Sequence, residues 1–292
     1  MHEPVLAQEV VAFLAPRAEG LYVDCTVGFG GHTSGLLASG AGRILGIDRD
    51  FSALEQARMR LGSEAPRVEF VHEDFRHLPE VLAARGISEV DGVLADLGVS
   101  SMQVDVPDRG FSFRHAGPLD MRMDTSRGAT LADRLDACDA TELADVIFRF
   151  GEERQSRRVA RDVIAARDRG ELTDTAALAA VVRRAAGGRG WQRIDPATRT
   201  FQALRIWVND ELEGLDAFLE TTAGVLAPGG RLAIIAFHSL EDRVVKHTFR
   251  RLAGEQPALQ LVTRRGVVAS EDECRRNPRA RSARLRVLGR VA

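Results

Sequence analysis

The segment from Asp24 to Asp48 constrains the fold of this chain more than any other part of it. Residues 21–25 are an apolar run that ends next to an acid, and residues 43–48 are a second run of this kind. Such runs predict two short buried strands, with a glycine-rich turn and a helix between them. An acid at the end of the second strand is well placed to bind both hydroxyls of a ribose, so Asp48 predicts a nucleotide-like ligand.

The turn between these strands contains three glycines, Gly28, Gly30 and Gly31. Glycine permits the tight turn and the close approach of a ligand to the backbone that such a site needs. A helix that begins near His32 adds unpaired backbone N–H groups at the same position. We therefore expect the three glycines and His32 to contact a cofactor.

Asp24 and Thr33 bear on the identity of that cofactor. The NAD fingerprint G-x-G-x-x-G requires a glycine where this chain has Thr33. Asp24 is poorly suited to an anionic pyrophosphate, but it suits a ligand with a positive amino group, such as the methionine part of S-adenosylmethionine. The spelling D-x-x-x-G-x-G is similar to the first motif of class I methyltransferases. The alternative is an ordinary glycine-rich turn with a helix cap.

The cysteines and the apolar segments of the chain bear on metal binding, on disulfides and on the cellular compartment. The three cysteines, at 25, 138 and 274, are far apart and form neither a C-x-x-C pair nor a cluster with histidine. We therefore expect no metal site and no disulfide framework. No apolar run has the length of a membrane-spanning helix, and the first residues lack the basic and apolar regions of a signal peptide. We expect a cytoplasmic protein, either a monomer or a homodimer.

Basic residues are unevenly distributed along a chain whose formal net charge is −2. Arginines outnumber acids thirteen to seven between residues 149 and 205, and nine to three between residues 264 and 290. Arginine binds phosphate through two parallel hydrogen bonds, so these zones favour a nucleic-acid surface. A genome rich in G and C would explain arginine in place of lysine, but not this clustering. The candidate phosphate contacts are Arg157, Arg158, Arg161, Arg184, Arg276, Arg279 and Arg281.

Strand and helix patterns alternate in the first and last thirds of the chain, which is typical of a doubly wound parallel α/β sheet. A turn at 228–230 precedes a central strand, and two strands near the end predict an antiparallel last strand. Helices are predicted over 31–39, 50–61 and 240–252. The predicted strands are 21–25, 43–48, 67–72, 90–97, 231–237, 258–264 and 283–289.

The middle of the chain has almost no strand pattern, and apolar residues recur there at helical spacing. Asp139 and Asp195 each predict the start of a helix, and residues 187–190 predict a loop. We therefore expect an all-helical subdomain, residues 105–208, inserted after the fourth strand. Residues 1–104 and 209–292 would then form the core domain.

The fourth predicted strand ends at Asp96. Ligands bind at the carboxyl ends of strands in an open parallel sheet, so Asp96 is expected to face the same crevice as Asp24 and Asp48. Methyl transfer is catalysed mainly by positioning and by stabilising the charge that moves to the acceptor. The Asp96 carboxylate could accept hydrogen bonds from an exocyclic amine and align its lone pair. The alternative role is a cap on the following turn.

Three phenylalanines near this edge could contact flat rings. Phe75 follows the third strand, where a side chain can lie against an adenine, and core packing is the alternative. Phe111 and Phe113 lie in a loop of Gly, Ser and Arg and could stack a flipped base, while packing at a hinge is the competing role. His238 ends the strand 231–237. A lone histidine is more often structural, but at this strand end we expect His238 to contact the substrate.

Several motifs occur in order along nearly the whole chain. They are DCTVGFGGHT (24–33), DLGVSSMQ (96–103), RGFSF (109–113), GPLDMRMD (117–124), FGEER (150–154), TRTFQALRIWVNDEL (198–212) and AFHSLEDR (236–243). Together they closely resemble the bacterial small-subunit ribosomal RNA cytosine-N4 methyltransferases. The set is far more specific than any one of its motifs.

The resemblance implies a class I, Rossmann-like methyltransferase sheet and an inserted helical domain that recognises RNA. It implies S-adenosylmethionine as the methyl donor. The implied acceptor is a P-site cytosine of the decoding centre in 16S rRNA, within the 30S subunit. By motif, the implied cofactor contacts are Gly30, Gly31 and His32 at the methionine end, Asp48 at the ribose, Phe75 at the adenine, and Asp96 and Gln103.

One motif departs from the wider class of amino-methyltransferases, which carry Asp, Asn or Ser followed by Pro-Pro-aromatic at the fourth strand. This chain has Asp96-Leu97-Gly98-Val99 there, so Phe111 or Phe113 is our substitute for the stacking aromatic. Three rival functions stay open. They are methylation of DNA or protein, a non-catalytic nucleotide- or RNA-binding module, and a Rossmann oxidoreductase, which Thr33 disfavours.

Overall fold

The computed structural model describes residues 4–99, 101–187 and 195–292, with all of their side chains except those of residues 101 and 102. The chain forms two compact units. The sheet unit comprises Met1–Gly98 and Leu212–Ala292, and the helical unit comprises Val99–Glu211. The helical unit thus begins earlier and ends later than the subdomain predicted at 105–208.

The sheet unit begins with the elements α1 (Ala7–Leu14), β1 (Leu21–Asp24), α2 (Gly31–Ala38), β2 (Arg43–Asp48), α3 (Phe51–Leu61), β3 (Val68–His72), α4 (Leu78–Ala83) and β4 (Val90–Asp96). The helical unit follows with α5 (Ser101–Asp105), α6 (Leu131–Ala137), α7 (Ala140–Gly151), α8 (Ser156–Asp168), α9 (Thr175–Ala186) and α10 (Ala197–Asn209). The sheet unit resumes with α11 (Leu215–Gly224), β5 (Leu226–Ala236), α12 (Ser239–Glu255), β6 (Leu259–Leu261), α13 (Glu271–Arg276) and β7 (Arg284–Arg290). Short 3₁₀ helices lie at Gly62–Arg67, Phe75–His77, Pro107–Arg109 and Pro278–Ser282.

The seven strands form one sheet in the order β3-β2-β1-β4-β5-β7-β6. Strands β1 to β5 pair in parallel, while β7 pairs antiparallel with both β5 and β6. This arrangement confirms the predicted Rossmann-like sheet with an antiparallel last strand. From β1, the chain adds β2 and β3 on one side of the sheet and then adds β4 and β5 on the other side. Ligands bind at such a switch point in open α/β sheets.

The turn predicted at residues 228–230 lies within the bounds of β5 (Leu226–Ala236), at a break in its pairing with β4. The register of β5 against β4 shifts there between the pairs Val90–Leu226 and Gly92–Arg231. Gly229 has a φ of +80° there, which a side chain would disfavour. The Pro-Gly-Gly segment therefore forms an irregularity within a longer strand, as β-bulges do.

Alternate residues of the central strands point to opposite faces of the sheet, and each face has its own core. One face packs against α4, α11 and α12, and the other packs against α1 and α2. Val23, Leu45 and Val93 belong to the first core, and Tyr22, Ile44 and Leu94 to the second. Because both faces are covered, polar ligands can reach these strands only at their ends.

The helical unit has a separate core built from α6 to α10, in which α7 packs against α8 and α10. Asp139 caps α7 as predicted, since its side chain accepts hydrogen bonds from the N–H groups of Thr141 and Glu142. Asp195 likewise accepts a hydrogen bond from the Ala197 N–H at 2.9 Å, at the start of α10. The predicted loop 187–190 lies outside the described residues, apart from Gly187. Within the described ranges, no helix has the length and apolar character needed to cross a membrane.

Candidate active site

The glycine loop connects the end of β1 to the start of α2. Gly28 and Gly30 have φ values of +51° and +71°, a region that residues with a side chain rarely adopt. A Cβ at Gly30 would also lie 3.3 Å from the Cβ of Ala57. Gly30 is the N-cap of α2 and supplies no side-chain hydrogen bond. The first N–H groups of α2, beginning at Gly31, have no acceptor within the helix, so a bound ligand could accept hydrogen bonds from them.

Asp24 orders this loop from inside the protein. Its Oδ1 accepts a hydrogen bond from the Thr26 N–H at 3.1 Å, and its Oδ2 accepts one from the Thr33 hydroxyl at 2.6 Å. The residue is fully buried, and this desolvation raises the pKa of its carboxyl. Both carboxylate oxygens of Asp24 thus accept hydrogen bonds from the loop and from α2, and the predicted contact of Asp24 with the amino group of the cofactor stays a prediction. Thr33, which excluded the NAD fingerprint, is the partner that holds the Asp24 side chain.

Asp48 joins the end of β2 to the same loop. Its Oδ2 accepts a hydrogen bond from the Gly28 N–H at 2.7 Å, and its Oδ1 accepts one from the Asp50 N–H at 2.9 Å. Desolvation raises the pKa of the Asp48 carboxyl to about 6, against the opposing effect of these two hydrogen bonds. The structure therefore brings together Asp48 and Gly28, which are both predicted cofactor contacts.

Asp96 ends β4 beside β1. Its backbone N–H donates a hydrogen bond to Thr26 Oγ1 at 2.7 Å, and its Oδ2 lies 3.7 Å from His32 Nε2. This separation is too long for a hydrogen bond. Among the described residues, neither Asp96 Oδ1 nor His32 Nε2 has a hydrogen-bond partner, although both atoms are buried. An unpaired buried polar atom costs about 1–3 kcal/mol, so this pair fits a site that a polar ligand completes.

Phe75 begins the 3₁₀ helix that follows β3. Its ring packs edge-on against Phe218, with ring centroids 4.7 Å apart. Asp74 caps this turn through the N–H of Arg76 at 2.9 Å. Burial alone would raise the pKa of Asp74, but hydrogen bonds from Arg76 and the charge of Arg49 lower it to about 2. Phe75 therefore sits in an ordered turn at the carboxyl edge of the sheet and remains partly exposed.

His238 is the N-cap of α12, a role that the sequence did not reveal. Its Nδ1 accepts a hydrogen bond from the Glu241 N–H at 3.3 Å, and Glu241 Oε2 accepts one in return from the His238 N–H at 3.2 Å. Glu241 is almost fully buried and also accepts a hydrogen bond from the Phe237 N–H at 2.8 Å. This capping box orders the turn after β5. The predicted contact of His238 with substrate stays a prediction.

The loop with Phe111 and Phe113 packs within the helical unit. The Phe113 ring meets Phe201 edge-on at 4.8 Å, and the Arg183 guanidinium lies 5.3 Å from its centroid. Phe111 is buried at 9% exposure. The loop therefore packs on α9 and α10 through Phe113, and the predicted stacking of a base by either ring stays a prediction. Gln103, on α5 of the same unit, is also buried.

These residues fit S-adenosylmethionine. Asp48 offers carboxylate oxygens for a ribose, and the glycine loop and α2 offer backbone N–H groups. Asp96 Oδ1 offers an unpaired acceptor, and His32 Nε2 offers a ring nitrogen.

Two residues near Asp24 were not predicted as parts of the site. Thr26 lies in the same D-x-T motif as Asp24. Cys25 is 1% exposed, and burial raises the pKa of its thiol well above the usual range. No reactive thiolate is therefore available at Cys25.

Known proteins resemble this chain over its whole length. A family model described as the MraW methylase family matches residues 1–291. A ribosomal RNA small subunit methyltransferase H from Sorangium cellulosum is 53% identical over 290 residues, which cover 99% of this chain and 91% of that protein. A protein of the same name from Anaeromyxobacter is 50% identical, with coverage of 99% and 98%. The structure of an rRNA methylase from Streptococcus thermophilus covers 100% of this chain and 99% of its own, at 13% identity and a TM-score of 0.45.

The match to the family model exceeds half of the chain, and both relatives exceed 30% identity. Three features of the site agree with those expected of a methylase. They are the sequence of the glycine loop, the acid at the end of β2 and the unpaired acceptor at the end of β4. The chain therefore belongs to the MraW methylase family, and it uses S-adenosylmethionine as its methyl donor.

Proposed function

We propose that this protein methylates the exocyclic N4 amine of a cytosine in 16S rRNA, at the P site of the decoding centre in the 30S subunit. Its curated relatives are named as methyltransferases of small-subunit ribosomal RNA. The basic zones of the sequence support a nucleic-acid acceptor. The observation that carries the choice of an amine is the buried, unpaired Oδ1 of Asp96.

Asp96 serves the amine in two ways. The N4 amine of cytosine carries two N–H donors, and its lone pair is delocalised into the ring. A charge-assisted hydrogen bond from one N–H to Asp96 Oδ1 raises the electron density on the nitrogen and stabilises the positive charge that it gains. The carboxylate then accepts the proton that the nitrogen loses. The bound cofactor supplies the electrophilic methyl group.

Cys25 argues against methylation at carbon. The C5 atom of cytosine becomes nucleophilic only after a nucleophile, such as a thiolate, adds at C6. Cys25 is the cysteine at the carboxyl end of β1, and its thiol is inaccessible and protonated. Cys138 is buried in the core of the helical unit. These two buried cysteines therefore offer no thiolate for addition at C6, which favours transfer to nitrogen.

Residues at the same carboxyl edge of the sheet are assigned to the parts of the cofactor. We assign the ribose hydroxyls to Asp48, the adenine to Phe75, and the methionine end to the N–H groups from Gly28 to His32. Asp24 acts indirectly, because it holds the loop through Thr26 and Thr33. Gln103 completes the cofactor site. Phe111 or Phe113 stacks the extruded base, and His238 contacts it.

Mass spectrometry of nucleosides tests the proposal. Purified protein is incubated with 30S particles from cells that lack this gene, with protein-free 16S rRNA and with DNA. We expect N4-methylcytidine to form in the particles, at one decoding-centre position located by sequencing of digested fragments. The Asp96→Asn variant should produce almost none. Formation of 5-methylcytidine, or transfer only to DNA or protein, would overturn the proposal.

A further inference from the structure

A groove on the helical unit lies between α7 and the start of α8. Its volume is about 660 Å³, and its lining includes Phe148 and four arginines, Arg154, Arg157, Arg158 and Arg161. Neighbouring residues of α7 such as Leu143 and Ile147 are fully buried, whereas Phe148 is 59% exposed. A single exposed apolar side chain is common on protein surfaces, and Phe51 is 58% exposed as well. What distinguishes Phe148 is that its ring lines the same groove as four arginines.

The arginines of this groove are available for a ligand. Within the described ranges, Arg154, Arg157 and Arg158 have no ion-pair partner, and Arg161 meets only the adjacent Asp162, at 3.4 Å. Arg167 and Arg169, further along the chain, are instead paired with Asp168 and Glu171. Among the residues that the structure describes, Asp145 is the only acid in the lining of the groove, so positive charge dominates it.

We propose that this groove binds a single-stranded segment of the RNA substrate, with one base stacked on Phe148 and its phosphates on Arg157 and Arg158. An exposed ring can stack only a base that is not already paired and stacked in a duplex. Guanidinium groups beside the ring neutralise the phosphates on either side of that base. The inference rests on the proposed function, because it names a second RNA contact of the same enzyme.

The proposal predicts two separable losses for the full chain with unmethylated 30S particles. Phe148→Ala should raise the Kd and KM for the particles by about fivefold to 150-fold, which is the range for one lost base stack. Phe148→Trp should keep most of the affinity. The double variant R157A/R158A should reduce the slope of log affinity against log salt by about 1.4 units, since each contact to a single strand contributes about 0.7. The rate at saturating particles and the affinity for S-adenosylmethionine should stay unchanged.

Two matched controls address general surface effects. Met59→Ala removes an apolar side chain of α3 that is 73% exposed, and Arg169→Ala removes an ion-paired arginine that follows α8. If the groove variants behave like these controls while the wild-type protein methylates the particles, the groove proposal is overturned. If the wild-type protein itself fails to methylate the particles, the proposed function is the part that fails. If affinity falls for particles but not for protein-free 16S rRNA, the groove binds a ribosomal protein and the RNA proposal is overturned.

Discussion

The hydroxyl of Thr26 accepts a hydrogen bond from the backbone N–H of Asp96 at 2.7 Å, across 70 residues of sequence. The Thr26 N–H in turn donates to Asp24 Oδ1 at 3.1 Å. Thr26 therefore joins the ends of β1 and β4, beyond the last paired residues, Asp24 and Leu94. Through this pair of bonds, the glycine loop and the proposed catalytic carboxylate share one anchor.

Thr26→Val keeps the shape of the side chain and leaves the Asp96 N–H without its acceptor. Loss of such a partner costs about 1–3 kcal/mol, so we expect the single-turnover rate to fall by about fivefold to 150-fold. The affinity for S-adenosylmethionine should change less than the rate. Thr26→Ser, which keeps the hydroxyl, should restore most activity. A Val variant with the wild-type rate would mean that Thr26 does not position Asp96.

Asp48→Ala should weaken the binding of S-adenosylmethionine without unfolding the protein. Each lost hydrogen bond to the charged carboxylate costs about 1.5–3 kcal/mol, or about 10-fold to 150-fold in Kd. Isothermal titration calorimetry measures this loss, and the melting temperature verifies folding. Glu55→Ala, an exposed acid on α3, is the matched control. Equal affinity in the two variants would remove Asp48 from the cofactor site.

The raised pKa of Asp48 predicts that cofactor affinity depends on pH. The ionised carboxylate accepts the ribose hydroxyls, so affinity should be constant well above pH 6 and should fall as the pH drops below about 6. Folding of the free protein shows the opposite trend. A carboxyl whose pKa rises from 3.8 to about 6 on folding stabilises the protein at low pH, and this contribution is lost as the pH rises through about 6. Asp48→Asn should remove both trends in titrations from about pH 3.5 to 8, which include the whole window between 3.8 and about 6.

Asp96→Asn retains the size of the side chain but removes its charge and its capacity to take a proton. We expect single-turnover methylation at saturating cofactor to fall by about 100-fold or more, the range for a general base. Cofactor affinity must be measured separately, because Asp96 is also assigned to the cofactor site. A near-normal single-turnover rate would show that the carboxylate has no essential part in the chemistry.

Phe113→Ala should reduce methylation of 30S particles and spare cofactor affinity if this ring stacks the base. The ring also packs on Phe201 at 4.8 Å, so its loss costs stability as well. Phe201→Ala removes the same packing and keeps the Phe113 ring, which makes it the matched control. Equal loss of activity in both variants would assign Phe113 to packing, and Phe111→Ala then tests the remaining aromatic.

The local sequence was sufficient for the architecture and for part of the site. Short apolar runs that alternate with helical patterns predicted the parallel sheet, because a strand buried on both faces requires a continuous apolar run. Two strand patterns near the end of the chain predicted the antiparallel last strand. The glycine loop and Asp48 were predictable because their function depends on backbone conformation and on position at a strand end. Backbone conformation and position at a strand end can both be predicted from short stretches of sequence.

Tertiary structure alone decided which polar atoms are satisfied and which are left for a ligand. The sequence places Asp24, Asp96 and His238 at strand ends and does not distinguish which of them contacts a ligand. In the folded protein, Thr26 and Thr33 donate to both oxygens of Asp24, and the Nδ1 of His238 caps a helix. Among the described residues, Asp96 Oδ1 and His238 Nε2 are buried without a hydrogen-bond partner. The partner of Asp96 lies 70 residues away, and no local pattern encodes such a distance. The same reason placed Phe113 against Phe201, because packing between distant helices depends on the whole core.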